Sequence, residues 1–136
     1  MKLILYKTIA AVILGWLAYL VMSSGEMSRL VLGVVLALSA LTMAIIARVQ
    51  IGKSFAVRFA AKGLVTTGFY SKIRHPLYLF VDLTLLGIVI IANYPILVVI
   101  WILSVAGQSV RAWKEENFLR QAYGAEYELY IKNTWF

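Results

Sequence analysis

Residues 74–111 read RHPLYLFVDLTLLGIVIIANYPILVVIWILSVAGQSVR. From Leu77 to Val110 this is a run of thirty-four residues with one charge, Asp82. As one helix it would measure about 51 Å, against a hydrocarbon core of about 30 Å. Asn93-Tyr94-Pro95 interrupts the run, and Asn-X-Pro is turn chemistry. The stretch therefore predicts two membrane helices, 77–92 and 95–110, joined as a tight hairpin. The second is expected to continue as a helix into RAWKEENFLRQAY (111–123), where charges return.

Two further apolar runs lie upstream. Residues 3–22 are interrupted only by Lys7, and 30–47 hold no charge, so each is long enough to span. The first begins like a signal peptide, with Lys2 and Lys7 before an apolar core, but no small-residue cleavage site follows. SSGEMSR (23–29) instead reads as a short polar turn into the next span. The chain has 136 residues, 62% of them hydrophobic and 14% charged. A soluble domain of that size could not bury so much apolar side chain. The expectation is one all-α domain over 1–136, a polytopic membrane protein of about four transmembrane helices with a C-terminal cytoplasmic helical segment.

The net charge of +7 follows topology. Arg48, Lys53, Arg58, Lys62, Lys72 and Arg74 fall in the middle connection, which has no acidic residue, and Arg111, Lys114, Arg120 and Lys132 fall in the C-terminal segment. With four spans, Lys2 and Lys7 share that side. The positive-inside rule then puts both termini and the middle connection in the cytoplasm, in an inner membrane. No basic stripe is interleaved with aromatics, so nucleic acid is not expected as a partner; the lipid bilayer is. Without cysteine, and with one histidine, neither a Cys-ligated nor a His-rich metal site is possible. GKSF (52–55) is not a phosphate-binding loop, because position 47 is alanine where that motif needs glycine. Phe55, Val57 and Phe59 among basic residues fit a short interfacial helix within 49–62.

The cytoplasmic polar residues form two clusters, 62–78 and 111–130, which the hairpin brings to one membrane face. In the first, Pro76 suits the first position of a helix. Arg74 and His75 then sit at a helix N-terminus, where free N–H groups and the dipole favour an anion and Arg74 adds a bidentate contact. Alternatively Lys72 and Arg74 are ordinary positive-inside anchors, and Tyr70 and Tyr78 interface aromatics. In the second cluster, Glu115 and Glu116 either meet a cation or form surface pairs at i,i+4 with Arg111 and Arg120. Gly124 is expected to break the helix there. Asp82, about two turns inside the third span, is either functional or held by a structural hydrogen bond to Thr84, Gln108 or another buried polar group.

GLVTTGFYSKIRHPLYLF, a hydrophobic hairpin and KEENFLRQAYGAEYELY together resemble the isoprenylcysteine carboxyl methyltransferases and related phospholipid methyltransferases, integral membrane enzymes that use S-adenosylmethionine. The resemblance spans roughly 62–130: Gly68 to Tyr70, Arg74 to Tyr78, Glu115-Glu116 and Gly124 to Tyr127, in order and suitably spaced. It implies a cofactor held between the Arg-His-Pro and Glu-Glu segments. By that carry-over Arg74, His75 and the helix start at Pro76 face the methionine carboxylate. Glu115 or Glu116 meets its amino group or ribose, and the loop of Leu64, Val65, Thr66 and Tyr70 encloses the adenosine. Tyr78 and Trp113 face the sulfonium, for which aromatic rings are suited. A carboxylate acceptor needs no base; an amine, thiol or phenol does, and Asp82 or His75 are the candidates.

The chain departs from the family pattern at Phe80, where glycine is usual, and a ring there could narrow the space beside the cofactor or reshape the lipid-side pocket. Its last segment, YIKNTWF (130–136), also carries only Lys132 where prenylcysteine enzymes often have further arginines. The function expected is methyl transfer from S-adenosylmethionine to a lipophilic small-molecule or lipid acceptor. The alternatives are a membrane reductase of the sterol-reductase type using NADPH, and a non-catalytic membrane scaffold.

Overall fold

The computed structural model describes residues 2–52, 64 and 66–135. Among these residues the secondary structure is helical: α1 (Lys2–Met22), α2 (Glu26–Ile51), α3 (Pro76–Ala92), α4 (Pro95–Tyr123) and α5 (Ala125–Asn133), with a 3₁₀ turn at Gly68–Ser71. By length and composition α1, α2 and α4 can each cross a membrane. The apolar α3, expected as a span of its own, has 17 residues, about 26 Å of helix, and is shorter than these three. Outer faces that expose Ile13, Trp16, Val35, Leu38 and Leu103 suit lipid contact.

The hairpin forms where Asn93-Tyr94 was expected to turn. Asn93 takes the left-handed conformation (φ 59°), and its N–H donates to the Val89 carbonyl. Pro95 opens α4, which continues unbroken to Tyr123, and Gly124 (φ 51°) breaks it from α5. The second span is longer than the uncharged window 30–47: α2 runs Glu26–Ile51. Helical hydrogen bonding does not stop where hydropathy does, and α2 ends only at Gly52 (φ 51°). The interfacial helix expected within 49–62 falls mostly outside the described residues, and 49–51 belong to α2.

Small residues set the packing. α3 packs chiefly on α2, and α4 chiefly on α1. At the first crossing a Cβ on Gly87 would lie 2.6 Å from the Ala37 nitrogen and 2.8 Å from the Gly33 carbonyl oxygen, so only glycine permits this approach. Close helix contact of this kind is the means of association where lipid removes the hydrophobic drive. At the second crossing Ala11 and Ala18 of α1 are buried in one cluster with Val98, Trp101 and Val105 of α4. The indole N–H of Trp101 ties α4 to α3 by donating to the Asp82 carbonyl at 2.8 Å.

Arg29 caps the far end. It is buried, and its guanidinium donates to the carbonyls of Ile90 (3.2 Å) and Ile91. A cation on the last carbonyls of α3 satisfies acceptors with no helical partner and complements the dipole. At the opposite end α5 folds back on the 3₁₀ turn. Tyr127 is fully buried, the Tyr130 hydroxyl donates to the Tyr70 carbonyl (2.7 Å), and the Trp135 N–H donates to the Lys72 carbonyl (2.8 Å).

Candidate functional site

The two polar clusters meet at the end of the bundle where α3 starts and the membrane part of α4 stops. Pro76, fully buried, occupies the first turn of α3 with His75 as the residue before it. That start turns Arg74 and His75 toward one face of α4. Arg74 Nη1 donates to Glu116 Oε1 at 3.0 Å across 42 residues. His75 Nε2 lies 3.3 Å from the same oxygen, and His75 Nδ1 lies 3.6 Å from Glu115 Oε2. A carboxylate only accepts, so the His75–Glu116 bond puts the imidazole proton on Nε2.

His75 is buried. Desolvation lowers its pKa below the usual imidazole value, and the charge of Lys7 adds to this; the bond to Glu116 and the two carboxylates oppose it. The neutral imidazole thus prevails at neutral pH. Tyr78, one turn on, stacks against it with ring centroids 5.7 Å apart and an interplanar angle of 16°.

Beside this cluster lies a cavity of about 390 Å³ between α1, α3 and α4. Its walls are mostly apolar: Ala10, Ala11, Leu14, Leu79, Leu83, Trp101, Val105 and Ala112. His75, Tyr78, Asp82, Gln108 and Ser109 add polar groups, α1 contributes Tyr6 and Lys7, and Trp135 stands at the rim. A concave apolar chamber with a few convergent polar groups is the usual form of a small-molecule site. Asp82 has both of the features weighed for it: it lines the cavity, and its Oδ1 accepts from Gln108 Nε2 at 2.5 Å.

The arrangement departs from the sequence expectations at several residues. Glu116 does not pair along its own helix with Arg120; it binds Arg74 and His75, and Arg120 meets Glu128 of α5 at 3.3 Å. Trp113 is exposed and does not line the cavity, because its position on α4 lies off the face that holds Ala112 and Glu116. Leu64 is half-buried, Thr66 is exposed, neither lines the cavity, and Val65 lies outside the described residues. Tyr70 is buried under the C-terminal segment, where its carbonyl holds Tyr130. Phe80 turns to the loop, its ring edge-on to Phe69 at 5.1 Å, and is not among the cavity residues. Lys7 and Trp135 were not singled out in advance, whereas Gln108 was named as a possible partner of Asp82 and is that partner. For Lys7 the signal existed: a charge inside an apolar span is a functional candidate by default.

A model of the phospholipid methyltransferase family matches residues 27–126. The chain belongs to the phospholipid methyltransferase family. No curated protein and no solved structure matches it significantly. Phospholipid methyltransferases are membrane enzymes acting on lipid, which agrees with the helices long and apolar enough to span a membrane. The family match takes in α2, α3, α4 and the start of α5, and so includes the Arg74–His75–Glu116 cluster; α1 precedes it.

Proposed function

We propose that the protein transfers a methyl group from S-adenosylmethionine to a lipophilic or lipid acceptor, with the cofactor held at the Arg74–His75–Glu115–Glu116 cluster and the acceptor in the adjoining cavity. The observation that supports this best is the meeting of Arg74 and His75 with Glu116 beside an apolar chamber.

The residues present suit the cofactor. Arg74 Nε is buried and lacks a hydrogen-bond partner among the described residues. An anion such as a carboxylate would satisfy it, and the free N–H groups of the first turn of α3 favour the same charge. Glu115 and Glu116 suit an ammonium or ribose hydroxyls, and the face of Tyr78 suits a sulfonium. When bound, S-adenosylmethionine supplies a methyl group already activated for displacement. The chain then has to position and to exclude water. His75, fixed by Glu116 and by Tyr78, orients the cluster, and the apolar walls keep the chamber dry. Asp82, held by Gln108, is the group placed to take a proton from an amine, thiol or phenol acceptor.

Orientation follows from charge. The start of α1, the start of α3 and the polar end of α4 share one end of the bundle, and most lysines and arginines gather there. By the positive-inside rule that end, with the cofactor site and both termini, faces the cytoplasm of an inner membrane. The acceptor enters sideways from the bilayer.

Calorimetric titration of the detergent-solubilised protein tests the proposal. Micromolar binding of S-adenosylmethionine and S-adenosylhomocysteine, with none of NADPH, is the expected result. Binding of NADPH alone would favour a reductase, and binding of none of the three would leave a non-catalytic scaffold. Screening lipid extracts with radiolabelled cofactor then identifies the acceptor.

A further inference from the structure

Lys7 stands apart from the other titratable groups of the site. Arg74 is matched by Glu116, His75 by both glutamates, and Asp82 by Gln108. Lys7 lines the same cavity, half-buried on α1 among Ala10, Ala11 and Leu14. Its charge interacts with Glu116, Arg74 and Asp82, yet among the described residues no carboxylate lies within ion-pair distance of its ammonium. A cation in apolar surroundings is costly unless something compensates it. The cavity opens directly onto it, so the compensating group can come from a ligand. Lys7 also precedes the segment that matches the family, so the family pattern does not account for it.

We propose that Lys7, on the helix that precedes the family match, is the residue that holds the acidic group of an amphiphilic acceptor in this cavity. The inference deepens the proposed function and rests on it for the word acceptor. The ammonium holds the head near His75 and Asp82, while Leu14, Leu83 and Val105 line the path of the tail. Lys7 then acts as a specificity residue, distinct from the groups assigned to the cofactor.

Tryptophan quenching tests this. The four tryptophans are Trp16, Trp101, Trp113 and Trp135, and only Trp101 and Trp135 line the cavity. In a Trp16→Phe/Trp113→Phe background, 9,10-dibromostearate should quench with about tenfold higher affinity than 9,10-dibromostearyl alcohol, the gain expected of one charge-assisted contact. Lys7→Met should abolish that preference and Lys7→Arg should keep it. Inorganic phosphate and acetate, which have the charge without the tail, should not displace the bromostearate.

Equal affinity of acid and alcohol in the parent protein overturns the inference, and needs no variant to fold. So does a preference that survives Lys7→Met, or displacement by free phosphate. S-adenosylhomocysteine titration separates this from the broader proposal. If Lys7→Met loses cofactor binding, Lys7 serves the cofactor and the inference fails. If the acid preference depends on Lys7 but the parent binds no cofactor, the anion site stands and methyl transfer falls.

Discussion

His75 Nε2 and Glu116 Oε1 lie 3.3 Å apart although 41 residues and a membrane hairpin separate them in the chain. Arg74 reaches the same oxygen at 3.0 Å, so one carboxylate holds two basic side chains from the start of α3. Because Arg74 and Glu116 are mostly buried, removing the carboxylate leaves uncompensated polar groups. Glu116→Ala should lower stability by about 3 kcal/mol, read as a drop in thermal midpoint in detergent. It should also weaken S-adenosylhomocysteine binding tenfold or more. His75→Ala should weaken binding similarly. If both variants bind like the parent, the cofactor does not use this cluster.

Asp82 separates structure from chemistry by a conservative change. Asp82→Asn keeps an oxygen that accepts from Gln108, so thermal stability and cofactor affinity should stay near those of the parent. Turnover should fall if the carboxylate serves the acceptor. A variant with full turnover would return Asp82 to a purely structural role.

The burial of His75 makes stability depend on pH. Its folded pKa is lowered, so the unfolded chain binds a proton more readily, beginning near the free imidazole value of about 6.5. Where the unfolded state holds more protons, stability rises with pH. The contribution of the neutral imidazole is therefore complete above that value and is lost as pH falls below it toward the folded pKa. Thermal midpoints measured between pH 8 and pH 5 should fall more steeply for the parent than for His75→Gln. Equal slopes would place the acid sensitivity elsewhere.

Two glycines of the membrane helices differ in what surrounds them. Gly87→Ala would drive a Cβ against the backbone of α2 and should destabilise the protein strongly. At Gly107 a Cβ would meet nothing within 4 Å, so Gly107→Ala should be neutral or stabilising by up to about 1 kcal/mol from helix propensity. Thermal melts of both variants in one detergent check the contrast, and equal losses would contradict the close α2–α3 crossing.

Arg29 is the basic residue of the turn end, and its work is structural. Arg29→Met should cost about 1–2 kcal/mol by freeing the Ile90 and Ile91 carbonyls. Cofactor affinity should not change, since the cap lies at the opposite end of α3 from His75. A loss of binding without a loss of stability would contradict this division.

The sequence by itself determined the elements. Uninterrupted apolar runs demand helices in a membrane, because no water is there to satisfy the backbone. Asn93-Tyr94-Pro95, Pro76 and Gly124 mark the ends of helices through conformations that hold in any tertiary setting. The hairpin also implied that the segments around Arg74 and Glu116 would be neighbours. What the tertiary structure alone decided was rotation and partner. A helix that is apolar all round has no hydropathy pattern to show which side faces protein, so Gly33, Ala37 and Gly87 set the crossing of α2 and α3 by close packing. Helical spacing offered Glu116 a partner in Arg120, but the packed start of α3 offered Arg74 and the His75 imidazole in a drier place. By the same cause Trp113 turned away from the cavity, and Lys7, counted beforehand as a topology charge, came to line it.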